Sequence, residues 1–243
     1  KNIIIGCGAG KILTTGSDNI FMGETAGQNL TTTSSNVFIG NAAGRCRCTG
    51  HQNIALGGSA LRGSTTVSNN TGAYNAAFGV NAGLNISTGA YNTFFGRNSA
   101  CLTTTGSHNF AVGCRALLGN VAGIGNIALG PQAMESIGAG GCNVFIGKAA
   151  GESSGTATDN DASLNVAIGY EAGKALTDGD NNTFLGHGAG DSVTTGSYNV
   201  AIGKGVDVAS ATGDTQMIMG CGASWWVCGD SSFNLYDKDG NVI

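Results

Sequence analysis

Asn36-Val37-Phe38-Ile39-Gly40 is followed, seventeen residues on, by Asn53-Ile54-Ala55-Leu56-Gly57, and this recurrence decides the fold. Traced outward in both directions, the pattern Asn-apolar-x-apolar-Gly begins at Asn2, Asn19, Asn36, Asn53, Asn75, Asn92, Asn109, Asn126, Asn143, Asn165, Asn182, Asn199 and Gln216. Ten of the twelve intervals are 17 residues and two are 22, so the units opening at Asn53 and Asn143 each carry a five-residue insertion, near 64–74 and 154–164. Those insertions hold Ser68-Asn69-Asn70-Thr71 and Thr158-Asp159-Asn160-Asp161, turn-forming residues that predict loops on one edge of a regular stack.

With the Asn as position 1, position 5 is Gly in every copy, position 4 is always large and apolar, and position 8 is Ala except at Ser99 and Val206. Positions 13 to 15 often read Thr-Thr-Gly, as at Thr104-Thr105-Gly106. A short apolar strand ending at a Gly able to adopt positive φ, a small-residue segment and a polar return make one coil of a parallel β-solenoid. The unit is too short for two helices and lacks a 3.6-residue period. The sequence therefore predicts an all-β β-roll of thirteen 17-residue coils over residues 1–224, stacked about 4.8 Å apart into a rod of about 60 Å.

Composition agrees with a repeat architecture. Glycine supplies 43 residues and proline one, while 11% of residues are charged and 41% hydrophobic. That hydrophobic content with a net charge of −4 opposes disorder. No basic stripe for nucleic acid and no apolar run of membrane-spanning length is present, so neither nucleic-acid binding nor membrane insertion is expected. The chain opens inside a repeat, at Lys1-Asn2-Ile3-Ile4-Ile5-Gly6, which predicts that its natural start lies upstream.

The first-position residues Asn2, Asn19, Asn36, Asn53, Asn75, Asn92, Asn109, Asn126, Asn143, Asn165, Asn182 and Asn199 would lie above one another. Two structural roles fit them: an amide ladder between coils, or a cap that each Asn places on its own turn. Alternation puts positions 2 and 4 on one face and position 3 on the other. Position 3 is apolar or Ala throughout, and a strand apolar on both sides is covered on both sides. A narrow coil encloses one core, so the position-3 face is expected to need a partner, with Phe21, Phe38, Phe94, Phe145 and Phe184 as its interface. A homotrimer, three coils about one axis, is the simplest closed solution.

Asn165-Val166-Ala167-Ile168-Gly169-Tyr170-Glu171-Ala172-Gly173 resembles the repeats of trimeric autotransporter adhesin heads, and is still more similar to the NTAIGYxA-type repeats of phage and virus tail-fibre proteins. Asn126-Ile127-Ala128-Leu129-Gly130 and Asn199-Val200-Ala201-Ile202-Gly203 carry the same motif, and the resemblance runs from residue 1 to about 224. The 17-residue period is longer than that of the adhesin heads and favours the fibre group. The resemblance implies a homotrimer of left-handed parallel β-rolls. It also implies that 225–243 is an end-cap or exit segment, since Asp230-Ser231-Ser232-Phe233-Asn234-Leu235-Tyr236 resembles the stretch where such fibres leave their repeats toward further C-terminal domains.

Residues that could carry chemistry are scattered. Cys7, Cys114 and Cys221 share position 6 but lie six coils apart, about 29 Å, beyond disulfide reach. Cys46-x-Cys48 lacks a second pair for a metal, and free thiols throughout, with Cys101, Cys142 and Cys228, suit assembly in a reducing compartment. His51, His108 and His187 fall on distant coils, and Asp237-Lys238-Asp239-Gly240-Asn241 lacks the spacing of a calcium loop. Asn-x-Ser/Thr sequons at Asn29, Asn69, Asn85 and Asn181 arise readily in a chain this rich in Asn and Thr. An ice-binding Thr array is interrupted at Val121-Ala122-Gly123 and Gly138-Ala139-Gly140. Trp225 and Trp226, the only Trp residues, read as a capping layer or as a sugar-stacking site.

The expectation is a structural shaft of a viral or phage fibre, carried on the virion, which projects or contributes to host-surface attachment. No enzyme activity and no cofactor are expected. The expected partners are further copies of the chain, other fibre or virion proteins, and host surface glycans. The second reading is a bacterial or cellular surface adhesin or extracellular filament.

Overall fold

The computed structural model describes residues 1–46, 49–64, 69–153, 160–232 and 234–243. The protein is an all-β solenoid. Among the described residues, fifteen strands form one sheet in unbroken chain order. The first thirteen run parallel, from β1 (Ile3–Ile5) through β5 (Ala76–Phe78), β6 (Thr93–Phe95), β7 (Phe110–Val112) and β8 (Ile127–Leu129) to β13 (Met217–Cys221). Equivalent positions of successive repeats pair directly, as at Phe94 and Ala111.

The thirteenth repeat corrects the expected count of coils. It supplies β13, but after Cys221 the chain turns back into β14 (Ser224–Gly229), antiparallel to β13, and then β15 (Leu235–Asp237), antiparallel to β14. Twelve coils therefore span the thirteen strand starts. Two matching turns close this meander: Asp230 Oδ1 accepts the N–H groups of Ser232 and Asn234 at 2.9 and 3.1 Å, and Asp237 Oδ1 those of Asp239 and Asn241, both at 2.9 Å. The Asp237–Asn241 stretch is thus a turn built on its own carboxylate.

Which face of the strands lies inside is also corrected. In β2 (Ile20–Met22), β3 (Val37–Ile39) and every later strand to β12 (Val200–Ile202), the middle residue is buried and its neighbours are partly or fully open. Position 3 points inward. Phe21, Phe38, Phe94, Phe145 and Phe184, expected at an interface between chains, are completely buried in the coil's own core. The physical reason is the narrowness of that core. Where position 3 is Phe, position 9 is mostly Gly: a β-carbon on Gly151 would lie 2.7 Å from the Phe145 ring and one on Gly27 3.0 Å from Phe21. At three coils where position 3 is Ala (Ala55, Ala111 and Ala128), position 9 supplies Leu61, Leu117 or Met134, all buried; Ala77 and Ala167 instead come with Gly83 and Gly173, against which the Phe94 and Phe184 rings of the next coil press. The always-bulky position 4 has no such allowance and faces out.

The coil's corners need left-handed backbone. Position 7 takes φ of +55° at Thr25, +60° at Arg115 and +55° at Glu171, and position 17 takes +59° at Tyr91 and +58° at His108. Such conformations disfavour L side chains, above all a β-branched one such as Thr25. Coil-to-coil bonds hold them: Thr25 N–H donates to the Cys7 carbonyl at 2.9 Å and His108 N–H to that of Ala90 at 3.0 Å. At position 5, Gly96 has φ +129°, and a β-carbon there would sit 2.5 Å from the Gly113 carbonyl oxygen, so only Gly fits.

The two longer units keep the stack in register. Asn75 N–H reaches Asn53 Oδ1 at 3.0 Å across its 22-residue unit, and Asn165 N–H reaches Asn143 Oδ1 at 2.9 Å. Buried Asn70 and Asn160 anchor the returning chain, donating to the Cys46 carbonyl at 2.6 Å and the Ser136 carbonyl at 3.0 Å. Residues 65–68 and 154–159 of the expected insertion loops lie outside the described residues.

Candidate functional site

The first-position Asn residues form a continuous column. From Asn19 on Asn2 to Gln216 on Asn199, each backbone N–H donates to the side-chain oxygen of the preceding Asn at 2.8–3.1 Å. The side-chain amides of all the first-position Asn residues except Asn36 also close their own coils, as Asn109 Nδ2 does on the Gly123 carbonyl at 2.9 Å. The two roles weighed for these residues coexist, because one amide carries a donor and an acceptor that point to different coils. From Asn19 to Asn199 these side chains are buried. They hold the scaffold together and are closed to a ligand.

What the scaffold presents is its outward sheet face. Two side chains from each of thirteen strands, at positions 2 and 4, stand on it. Ile54, Phe95, Phe110, Val112 and Ile168 are exposed by 37–41%, and Ile3 and Ile5 at the first coil by more than half.

Stacked rings reinforce this surface. Phe78 and Phe95 stack at position 4 with centroids 4.3 Å apart. Tyr74, Tyr91 and His108 form a column at position 17, at 4.8 and 4.9 Å. At position 6, Tyr170 stacks on His187 at 5.0 Å, and Lys148 Nζ lies 5.6 Å from the Tyr170 ring centre. His108 and His187 thus sit in ring columns, while His51 Nδ1 accepts the Ser34 N–H at 3.1 Å. The 17-residue spacing Tyr74–Tyr91–His108 was the available sequence signal for the longest column.

Charged groups form local pairs off this face. Arg115 pairs with Glu135, and Lys174 bonds Glu171 at 2.7 Å, which holds the Glu171 carboxyl below its ordinary range. Burial, together with the neighbouring Asp191 carboxyl, pushes Asp207 up to about 6. Among the described residues, no three His, Cys, Asp or Glu side chains converge as metal ligands. Cys7, Cys46, Cys101, Cys114, Cys142, Cys221 and Cys228 are free thiols, and Cys48 lies outside the described residues.

At the C-terminal end, a cavity of about 640 Å³ opens between the last coil and the β14 hairpin, lined in part by Asp207, Val208, Ile218, Trp225 and Tyr236. Trp225 is half-buried there, and Trp226 points out with 64% of its surface open. The pair is therefore split: one ring lies against the end of the core and the other in solvent. Among the described residues, no helix is long and apolar enough to cross a membrane. No protein-family model, no curated protein and no solved structure matches this chain.

Proposed function

We propose that this chain is the structural shaft of a viral or phage attachment fibre, assembled as a homotrimer through the outward sheet face. The observation that carries the reading is the contrast between the two sides of the sheet. The inner side is sealed by the chain's own core, while the outer side leaves an apolar stripe the length of the rod. Three such faces turned toward one axis bury that stripe and make a straight, stiff rod. The resemblance of the repeats to tail-fibre sequences supports a place on the virion, next to other fibre proteins. The free thiols support assembly in a reducing compartment over export as a surface adhesin. The polar turns and exposed Trp226 would serve contact with host glycans.

Sedimentation equilibrium of the full chain tests the assembly, with three times the 24.1 kDa chain mass as the expected result and a folded monomer as the overturning one. A glycan array probed with the assembled chain tests attachment. An assembled rod that binds no sugar restricts the role to projection.

A further inference from the structure

We infer that β5, β6 and β7 carry a registering lock between copies, in which position 2 of one chain packs against position 4 of the next at the same height. This inference rests on the self-assembly reading and deepens it, because it names the side chains that make the level, parallel arrangement the one that fits.

The observation is a size compensation. On most coils the two outward rows carry side chains of similar bulk, such as Ile54 with Leu56 and Ile127 with Leu129. On β5 and β6 the first is small and the second is Phe: Ala76 with Phe78, Thr93 with Phe95. On β7 the order is reversed, Phe110 with Val112. The bulk per level is kept while its place moves from one row to the other. Inside the coil the same exchange, Phe145 with Gly151 against Ala111 with Leu117, occurs where two side chains share one space. Outside, Ala76 and Thr93 are less open than the Phe95 and Phe110 rings, which stand 40–41% exposed. The Phe78 and Phe95 rings stack on each other along their own row, at 4.3 Å and within 10° of parallel. Ala76 and Thr93 thus form a depression beside two knobs, with Phe110 standing at one end.

Rotation about an axis parallel to the rod brings position 2 of one copy to position 4 of its neighbour at equal height. Phe78 then meets Ala76, Phe95 meets Thr93, and Val112 meets Phe110. An antiparallel arrangement sets each row against itself and leaves the knobs without hollows. A slip of one coil, about 4.8 Å, in one direction sets Phe95 against Phe110. Parallel, in-register rotation is the arrangement in which all three levels fit.

Full-length chains test this by sedimentation and crosslinking. Ala76→Phe overfills one level and is expected to weaken association on the order of tenfold or more, with unchanged circular dichroism. Ala76→Phe combined with Phe78→Ala moves knob and hollow together and should restore association. Co-assembled chains, one carrying Thr93→Cys and the other Phe95→Cys, should crosslink to each other, whereas Ala76→Cys with Phe95→Cys, one coil apart, should not. An oligomer indifferent to Ala76→Phe, a double variant as weak as the single one, or preferential out-of-register crosslinking overturns the lock alone. A monomeric parent chain overturns the self-assembly reading and the lock with it.

Discussion

Gly151 lies so close to Phe145 that a β-carbon on it would sit 2.7 Å from the edge of the ring, and its φ is +58°. The two residues fill one space in a core a single side chain wide. Gly151→Ala should therefore destabilise the coil by about 2 kcal/mol or more through overpacking and backbone strain. Phe145→Ala alone should cost about 3–5 kcal/mol through the cavity it leaves. Phe145→Ala with Gly151→Leu copies the arrangement of Ala111 and Leu117 and should recover much of that loss in chemical denaturation.

The Asn column makes a second expectation. Asn109→Ala leaves the Asn126 N–H without its side-chain acceptor and the Gly123 carbonyl without its amide donor. Two buried partners are lost at once, so a cost of about 2–4 kcal/mol follows. Hydrogen exchange should show faster opening of the coils on either side of the substitution, with distant coils unchanged, because each coil touches only its neighbours.

Faces can be told apart by charge. Leu129→Lys places an ammonium on the outward face and should disperse the assembly while changing the folding of each chain by less than about 0.5 kcal/mol. Ala128→Lys, one residue earlier, puts the same charge into the closed core and should prevent the coil from forming. Sedimentation and circular dichroism read the two effects separately.

The pH dependence of the C-terminal end follows from Asp207, whose carboxyl is raised from 3.8 to about 6 by burial and by Asp191. Between those values the folded chain keeps a proton that the unfolded chain has lost. The stabilisation is full below about pH 4 and disappears as pH rises through 6. Asp207→Asn should remove this component, so the midpoint difference between variant and parent should grow in the variant's favour from pH 4.5 to pH 7.5. A constant difference would contradict it.

Trp225 and Trp226 separate the end of the core from the solvent. Trp225→Ala should loosen the β14 hairpin by about 1–2 kcal/mol, since the ring lines the cavity over Ile218. Trp226→Ala should leave hairpin stability unchanged and should lower sugar binding if the rod contacts glycans. Proteolysis of the hairpin and the glycan array report on the two rings in turn.

The sequence by itself determined the solenoid, its period, its two longer units and the vertical alignment of the Asn residues. Each of these is a one-dimensional property: identical spacing places identical residues at identical points of a coil, and backbone pairing between neighbours does the rest. The candidate surface was harder to read, because alternation separates position 3 from positions 2 and 4 without saying which side is inside. Constant bulk at position 4 looked like a core, yet the core is where Phe145 and Ala111 alternate with Gly151 and Leu117 in compensation. Left-handed corners at Tyr91, Arg115 and Glu171 were equally hidden, since these residue types carry no preference for that backbone. The tertiary structure decided the inside, the outside and the end at β14, because those depend on how much volume one coil encloses and on what the neighbouring coil leaves uncovered.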